Sequence, residues 1–213
     1  MTQDSYAAGP TEPALPDTTI GADLSRTVAA HPDREALVEV ASGRRWTWRE
    51  LEDDVDRVAK GLMAAGIAVG DRVGIWAPNC AEWTLVQYAA ARTGAVLVNV
   101  NPAYRTHELS YAINQSGLSL MVAATSFKSS DYTAMLREVA PQCPDLRRVV
   151  HIGTDDWDAL VAGGADVSDE ALRERATSLH PDDPINIQYT SGTTGNPKGA
   201  LLTHRNILGH GFI

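Results

Sequence analysis

The sequence predicts a doubly wound α/β domain, with a mostly parallel sheet flanked by helices. Three observations lead there. From Thr19 onward, segments at helical spacing alternate with short strand-like segments. Most of the strand-like segments are apolar along their whole length, as strands buried on both faces are. A segment rich in glycine and hydroxyls, Thr190 to Gly199, joins the last two strand-like runs.

Ile20, Leu24, Val28 and Ala29 recur at helical spacing, and Pro32 ends that run. Ala36 to Val40 reads as a strand, Ser42-Gly43 as a turn and Arg44 to Trp46 as the returning strand. Thr47 and Glu50 have capping-box spacing, in which each side chain accepts from the other residue's amide. Leu51, Val55, Val58, Ala59 and Leu62 then line one helical face, and Gly66 is placed to end it. Arg72 to Ala77 is a strand closed by Pro78-Asn79. Ala81 to Arg92 is a helix ended by Gly94, and Ala95 to Val100 a strand closed by Asn101-Pro102. Thr106 opens a helix that Gly117 closes. Leu118 to Ala123 is a strand, Met135 to Val139 lies in a helix, and Arg148 to Ile152 is a strand.

Asp155 to Asp183 is rich in carboxylates and reads as solvated surface, with a short helix from Ser168 and Asp169 through Arg175. Ile185 to Tyr189 and Gly199 to Thr203 are strands on either side of the glycine-rich segment. From His204 the chain is apolar at helical spacing, and that pattern is still running at Ile213. The sequence therefore reads as a domain incomplete at its C-terminal end. Residues 1–18 hold three prolines and three acids without an apolar run, and read as a disordered tail before a domain at 19–213. They show no targeting signal.

Composition narrows the function classes. The 213 residues are 44% hydrophobic and 21% charged, ordinary for a globular domain. The net charge of −9 argues against nucleic acid and anionic membrane as general partners. No stretch approaches the roughly 18 apolar residues of a membrane span. Cys80 and Cys143 stand far apart and form no C-x-x-C pair, so they read as free thiols in a cytoplasmic protein. His31, His107, His151, His180, His204 and His210 lack metal-ligand spacing. Trp76 and Trp83 read as core residues.

The segment Tyr189-Thr190-Ser191-Gly192-Thr193-Thr194-Gly195-Asn196-Pro197-Lys198-Gly199 carries the chemistry. Gly192 and Gly195 allow a ligand close to the backbone. Thr190, Ser191, Thr193 and Thr194 each bring a hydroxyl donor. Successive amides in such a turn can point into one concavity and hold an anion. Pro197 stiffens the exit and Lys198 adds a full positive charge. Together they suit a polyphosphate. The segment is not a Walker A loop, because Lys198 precedes Gly199 and the glycine spacing differs. It is not a nucleophile elbow, because Ser191 lacks the flanking glycines. The plain alternative is a flexible linker or hairpin turn.

This string resembles the signature of the adenylate-forming, AMP-binding superfamily, which includes acyl- and aryl-CoA synthetases, firefly luciferase and peptide-synthetase adenylation domains. Thr203-His204-Arg205-Asn206 continues the match. Upstream, Thr47-Trp48-Arg49-Glu50-Leu51, Gly70-Asp71-Arg72-Val73, Pro78-Asn79, and Asn101-Pro102-Ala103-Tyr104-Arg105 with Glu108-Leu109 resemble further family blocks. The last is most similar to the fatty-acyl-CoA synthetase branch.

The resemblance implies the N-terminal part of an AMP-forming acyl-CoA synthetase. A medium- or long-chain fatty acid would attack the α-phosphate of ATP to give acyl-AMP and pyrophosphate, and coenzyme A would then take the acyl group. It implies that Thr190, Ser191, Gly192, Thr193, Thr194 and Gly195 hold the β- and γ-phosphates, that Thr190 helps place Mg²⁺, and that Lys198 offsets charge on the departing pyrophosphate. Lys198 and Thr193 are the expected catalytic pair. The adenine, acyl and remaining metal contacts would lie beyond residue 213, leaving this piece inactive by itself. His204 is expected to support a strand–helix junction, and Tyr104 and Arg105 to form a structural turn. Three other readings stay open: an aryl or other non-fatty acid ligase, a non-catalytic nucleotide-binding module and, least favoured by the glycine–lysine spacing, a P-loop kinase.

Overall fold

Helix α1 (Ile20–Ala30) starts where the Thr19 hydroxyl accepts from the Ala22 amide, and buries Ile20, Leu24 and Val28. In chain order there follow β1 (Glu35–Glu39), β2 (Arg44–Thr47), α2 (Trp48–Ala64), β3 (Arg72–Trp76), α3 (Ala81–Thr93), β4 (Val96–Asn99), α4 (Thr106–Ser116) and β5 (Leu118–Ala123). Next come β6 (Ser126–Phe127), β7 (Ser130–Asp131), α5 (Tyr132–Val139), β8 (Arg148–His151), α6 (Asp155–Ala162), α7 (Asp169–Thr177), β9 (Pro184–Thr190), β10 (Lys198–Thr203) and α8 (His204–Phe212). This computed structural model describes residues 14–190 and 197–212.

The main sheet has six strands in the order β10-β9-β4-β3-β5-β8. β9, β4, β3, β5 and β8 run parallel, while β10 pairs antiparallel with β9 at the edge. Parallel neighbours need a crossover, and the helices supply it, covering both faces. On one face α1, α2 and α3 pack against Val73, Ile75, Leu97, Leu120 and Val122. On the other, α4 and α5 pack against Trp76, Val98, Met121 and Ala123. That alternation along β3 and β4 is why their sequences read as unbroken apolar runs.

Both side-chain bonds of the Thr47–Glu50 capping box form at the start of α2. Leu51, Val55, Val58, Ala59 and Leu62 are all buried. Each fully buried Leu or Val contributes about 1.5–3 kcal/mol, far above the small differences between helix propensities. Packing therefore holds α2 in place. Gly94 and Gly117 end α3 and α4 with φ of 74° and 61°, the left-handed region that a side chain would disfavour.

One helix lies outside the sequence reading. The acid-rich stretch after Gly153 forms α6, capped by the Thr154 hydroxyl on the Asp156 amide, with Asp155, Asp156 and Asp158 in its first turn. Those carboxylates face solvent and suit the positive end of the helix dipole, while Leu160 is buried. The charge concealed a short apolar face, Leu160 with the half-buried Trp157 and Val161. The strand expected to reach Val40 stops at Glu39, and Val40 is 88% exposed in the turn. Trp76 is fully buried under α4 and α5, and Trp83 is half-buried against the packing on the opposite face of the sheet.

Candidate functional site

The two strands that flank the glycine-rich segment form a hairpin at the sheet edge. β9 reaches Thr190 and β10 begins at Lys198, and these residues pair directly, followed by Tyr189 with Gly199 and Gln188 with Ala200. Because β9 runs parallel to β4, the hairpin mouth opens at the carboxyl ends of the parallel strands. Open α/β sheets bind ligands there. The Thr190 hydroxyl donates to the Lys198 carbonyl at 3.4 Å, and the Lys198 side chain is exposed. Of the expected site residues, the structure brings Thr190 and Lys198 together. Ser191, Gly192, Thr193, Thr194 and Gly195 lie outside the described residues.

Helix α4 braces the hairpin through residues that no motif reading singled out. The Tyr111 hydroxyl donates to the Pro197 carbonyl at 3.3 Å. The Tyr189 hydroxyl lies 3.1 Å from the Ala112 carbonyl and 2.6 Å from Gln115 Oε1. Burial pushes the Tyr189 phenol up to about 12, so it stays a neutral donor. A Cβ on Gly199 would stand 3.0 Å from Ile187 Cγ2 and 3.4 Å from Gln115 Oε1. Tyr111 and Gln115 are four apart and share a helix face. That spacing and both strands were visible in the sequence, but not that the one would pack on the other.

The neighbouring turn after β4 is held from below. Trp76 and Tyr132 stack with centroids 3.5 Å apart and planes 9° apart. Trp76 Nε1 donates to the Asn101 carbonyl at 3.0 Å, and the Tyr132 hydroxyl to the Pro102 carbonyl at 2.6 Å. Arg105 donates to Ser130 Oγ at 2.8 Å, and its amide to Glu108. Together these contacts hold the turn that follows β4.

His204 follows β10 and is fully buried. Its Nδ1 accepts from the Ile20 amide at 3.1 Å, tying the start of α8 to the start of α1. Thr203 and Asn206 cap α8 reciprocally, the Asn206 carboxamide accepting from the Thr203 amide and the Thr203 hydroxyl from the Asn206 amide. Burial holds the imidazole down at about 4, against a small opposing pull from Asp183. The folded protein thus binds this proton more weakly than the unfolded chain does. The stability His204 confers is whole above about pH 6.5 and declines as pH falls toward 4, by at most about 3 kcal/mol. Urea midpoints between pH 7.5 and 4.5 test this. The wild type should lose stability more steeply than His204→Asn, and equal slopes would disprove the assignment.

Among the described residues, no group of three or more His, Cys, Asp or Glu could hold a metal ion, and no helix is long and apolar enough to cross a membrane. Both cysteines are free.

The profile of the family described as "AMP-binding enzyme" matches residues 24–211. The chain belongs to that family. A zebrafish (Danio rerio) protein described as "medium-chain acyl-CoA ligase ACSF2, mitochondrial" is 39% identical over 227 residues, covering 98% of this chain and 38% of the zebrafish protein. A mouse (Mus musculus) protein of the same description is 40% identical over 228 residues, covering 98% and 37%. The chain thus spans well under half the length of these relatives. Among solved structures, Mycobacterium tuberculosis fatty acyl CoA synthetase matches with a TM-score of 0.74 and 28% identity, over 87% of this chain and 34% of that one. The mostly parallel sheet with helices on both faces is the fold of this AMP-binding family's N-terminal portion.

Proposed function

We propose that this chain supplies the phosphate-binding part of an ATP-dependent acid–thiol ligase that makes acyl-AMP and then acyl-CoA. The carrying observation is the β9–β10 hairpin, which sets Thr190 beside Lys198 at the carboxyl ends of the parallel strands in a chain of the AMP-binding family. In this reading ATP, a carboxylic acid and coenzyme A are the substrates, and the acid is a medium- or long-chain fatty acid. Support for the acid class comes from the resemblance of the 101–109 block and from the descriptions of the relatives.

The chemistry follows from charge. When the carboxylate attacks the α-phosphate, the bond to the β-phosphate breaks and negative charge builds on pyrophosphate. A cation held against that leaving group favours the transition state over the ground state. Lys198 is that cation in our reading. Thr190, Ser191, Gly192, Thr193, Thr194 and Gly195 would supply hydroxyl and amide donors to the β- and γ-phosphates. For Mg²⁺ the fit is partial. The Thr190 hydroxyl would be one oxygen ligand, but the described residues provide no cluster of carboxylates beside it. Mg²⁺ would therefore arrive with the ATP phosphates and take further ligands elsewhere. We place the protein in the cytoplasm, which suits two free thiols, and expect no nucleic-acid partner at a net charge of −9.

The test is pyrophosphate release by the full-length protein with ATP, Mg²⁺ and a panel of acids. Release that depends on fatty acids supports the reading. Release with aryl acids alone moves the substrate class. ATP binding without release under any acid turns the protein into a non-catalytic nucleotide-binding module.

A further inference from the structure

Lys198 is held in part by its pairing with Thr190 inside the motif, and in part by a contact from outside it. The chain leaves the glycine-rich segment through Pro197. Proline has no N–H and a nearly fixed φ, so the carbonyl is the polar group by which that residue can be held. The Pro197–Lys198 peptide is planar, so fixing its carbonyl also fixes the amide of Lys198. Tyr111 reaches over from α4 and donates to this carbonyl at 3.3 Å. The ring is half-buried, and one helical turn further along α4 the Gln115 side chain lies beside Tyr189 and Gly199. The helix thus grips the hairpin on both strands, and Tyr111 grips it nearest the lysine.

We propose that Tyr111 is a positioning residue for the phosphate-binding turn, its hydroxyl setting the plane of the Pro197–Lys198 peptide and so the direction in which Lys198 is presented. The role rests on the ligase reading above. It acts through Lys198 and requires no contact between Tyr111 and substrate. It concerns ATP and leaves the carboxylic acid untouched.

The experiment compares wild type with Tyr111→Phe in the full-length protein, which keeps the ring and removes the hydroxyl. Pyrophosphate release is measured against ATP and against the acid, with thermal unfolding alongside. The expected result is a fall in kcat/KM for ATP of roughly threefold to tenfold, the size of one lost hydrogen bond, with the KM for the acid and the unfolding midpoint unchanged. Unchanged kcat/KM for ATP overturns the proposal. So does a lowered unfolding midpoint with both substrates affected alike, which would mark a merely structural hydroxyl. A wild-type protein that neither binds ATP nor releases pyrophosphate sinks the ligase reading instead, and the positioning role falls with it.

Discussion

Replacing Lys198 by alanine is expected to lower the rate of pyrophosphate release about 10²- to 10³-fold. The size follows from where the charge lies. A cation that meets the phosphates equally before and during reaction would change only binding, whereas one aimed at the leaving pyrophosphate acts mainly in the transition state. The loss should therefore show in kcat as well as in kcat/KM. Lys198 is exposed at the start of β10, so its removal leaves no buried group unsatisfied and the fold should stand. Thr193→Ala, which deletes a neutral donor, should lower the rate less than the loss of the full charge does. The measurement is steady-state pyrophosphate release, with the unfolding midpoint as control. A Lys198→Ala protein of normal kcat would remove Lys198 from the mechanism.

Replacing Arg92 by alanine is expected to destabilise the protein by about 3–5 kcal/mol. Arg92 lies at the end of α3 and is only 6% exposed. Its guanidinium donates to Glu52 Oε1 at 2.7 Å and Ser25 Oγ at 2.8 Å, and pairs with Asp56. One side chain thereby joins α1, α2 and α3 over the main packing layer. Burial already pushes the Asp56 carboxyl above its ordinary range, against the pull of Arg92. Without the arginine, two carboxylates share a half-buried space, with only the more distant Lys60 to offset them. Urea unfolding followed by tryptophan fluorescence measures the loss. Neutralising the carboxylates as well, in Arg92→Met with Glu52→Gln and Asp56→Asn, should recover most of it. If the triple variant is as unstable as the single one, lost packing rather than unpaired charge is the cause.

Much of the architecture was legible because local rules and the final packing agree. The Thr47–Glu50 box, the glycines at 94 and 117 and the unbroken apolar runs of β3 to β5 each act over a few residues, so short-range reading suffices. The same holds for the hairpin strands around the glycine-rich segment. Helix α6 was missed because Asp155, Asp156 and Asp158 surround its short apolar face of Trp157, Leu160 and Val161, and the acids were read as solvated surface. The antiparallel direction of β10 was also hidden, since an apolar strand looks the same in either direction.

The sequence by itself determined the alternation of strands and helices, the caps and the glycine and hydroxyl content of the Thr190–Lys198 segment, because these depend on residue type and spacing along the chain. Only the tertiary structure decided which residues far apart in the chain would meet. Tyr111 stands 86 residues from Pro197, and His204 stands 184 from Ile20. Contacts across such separations are set by the order of strands in the sheet and the helix each crossover lays on it. No periodicity along the chain encodes that order.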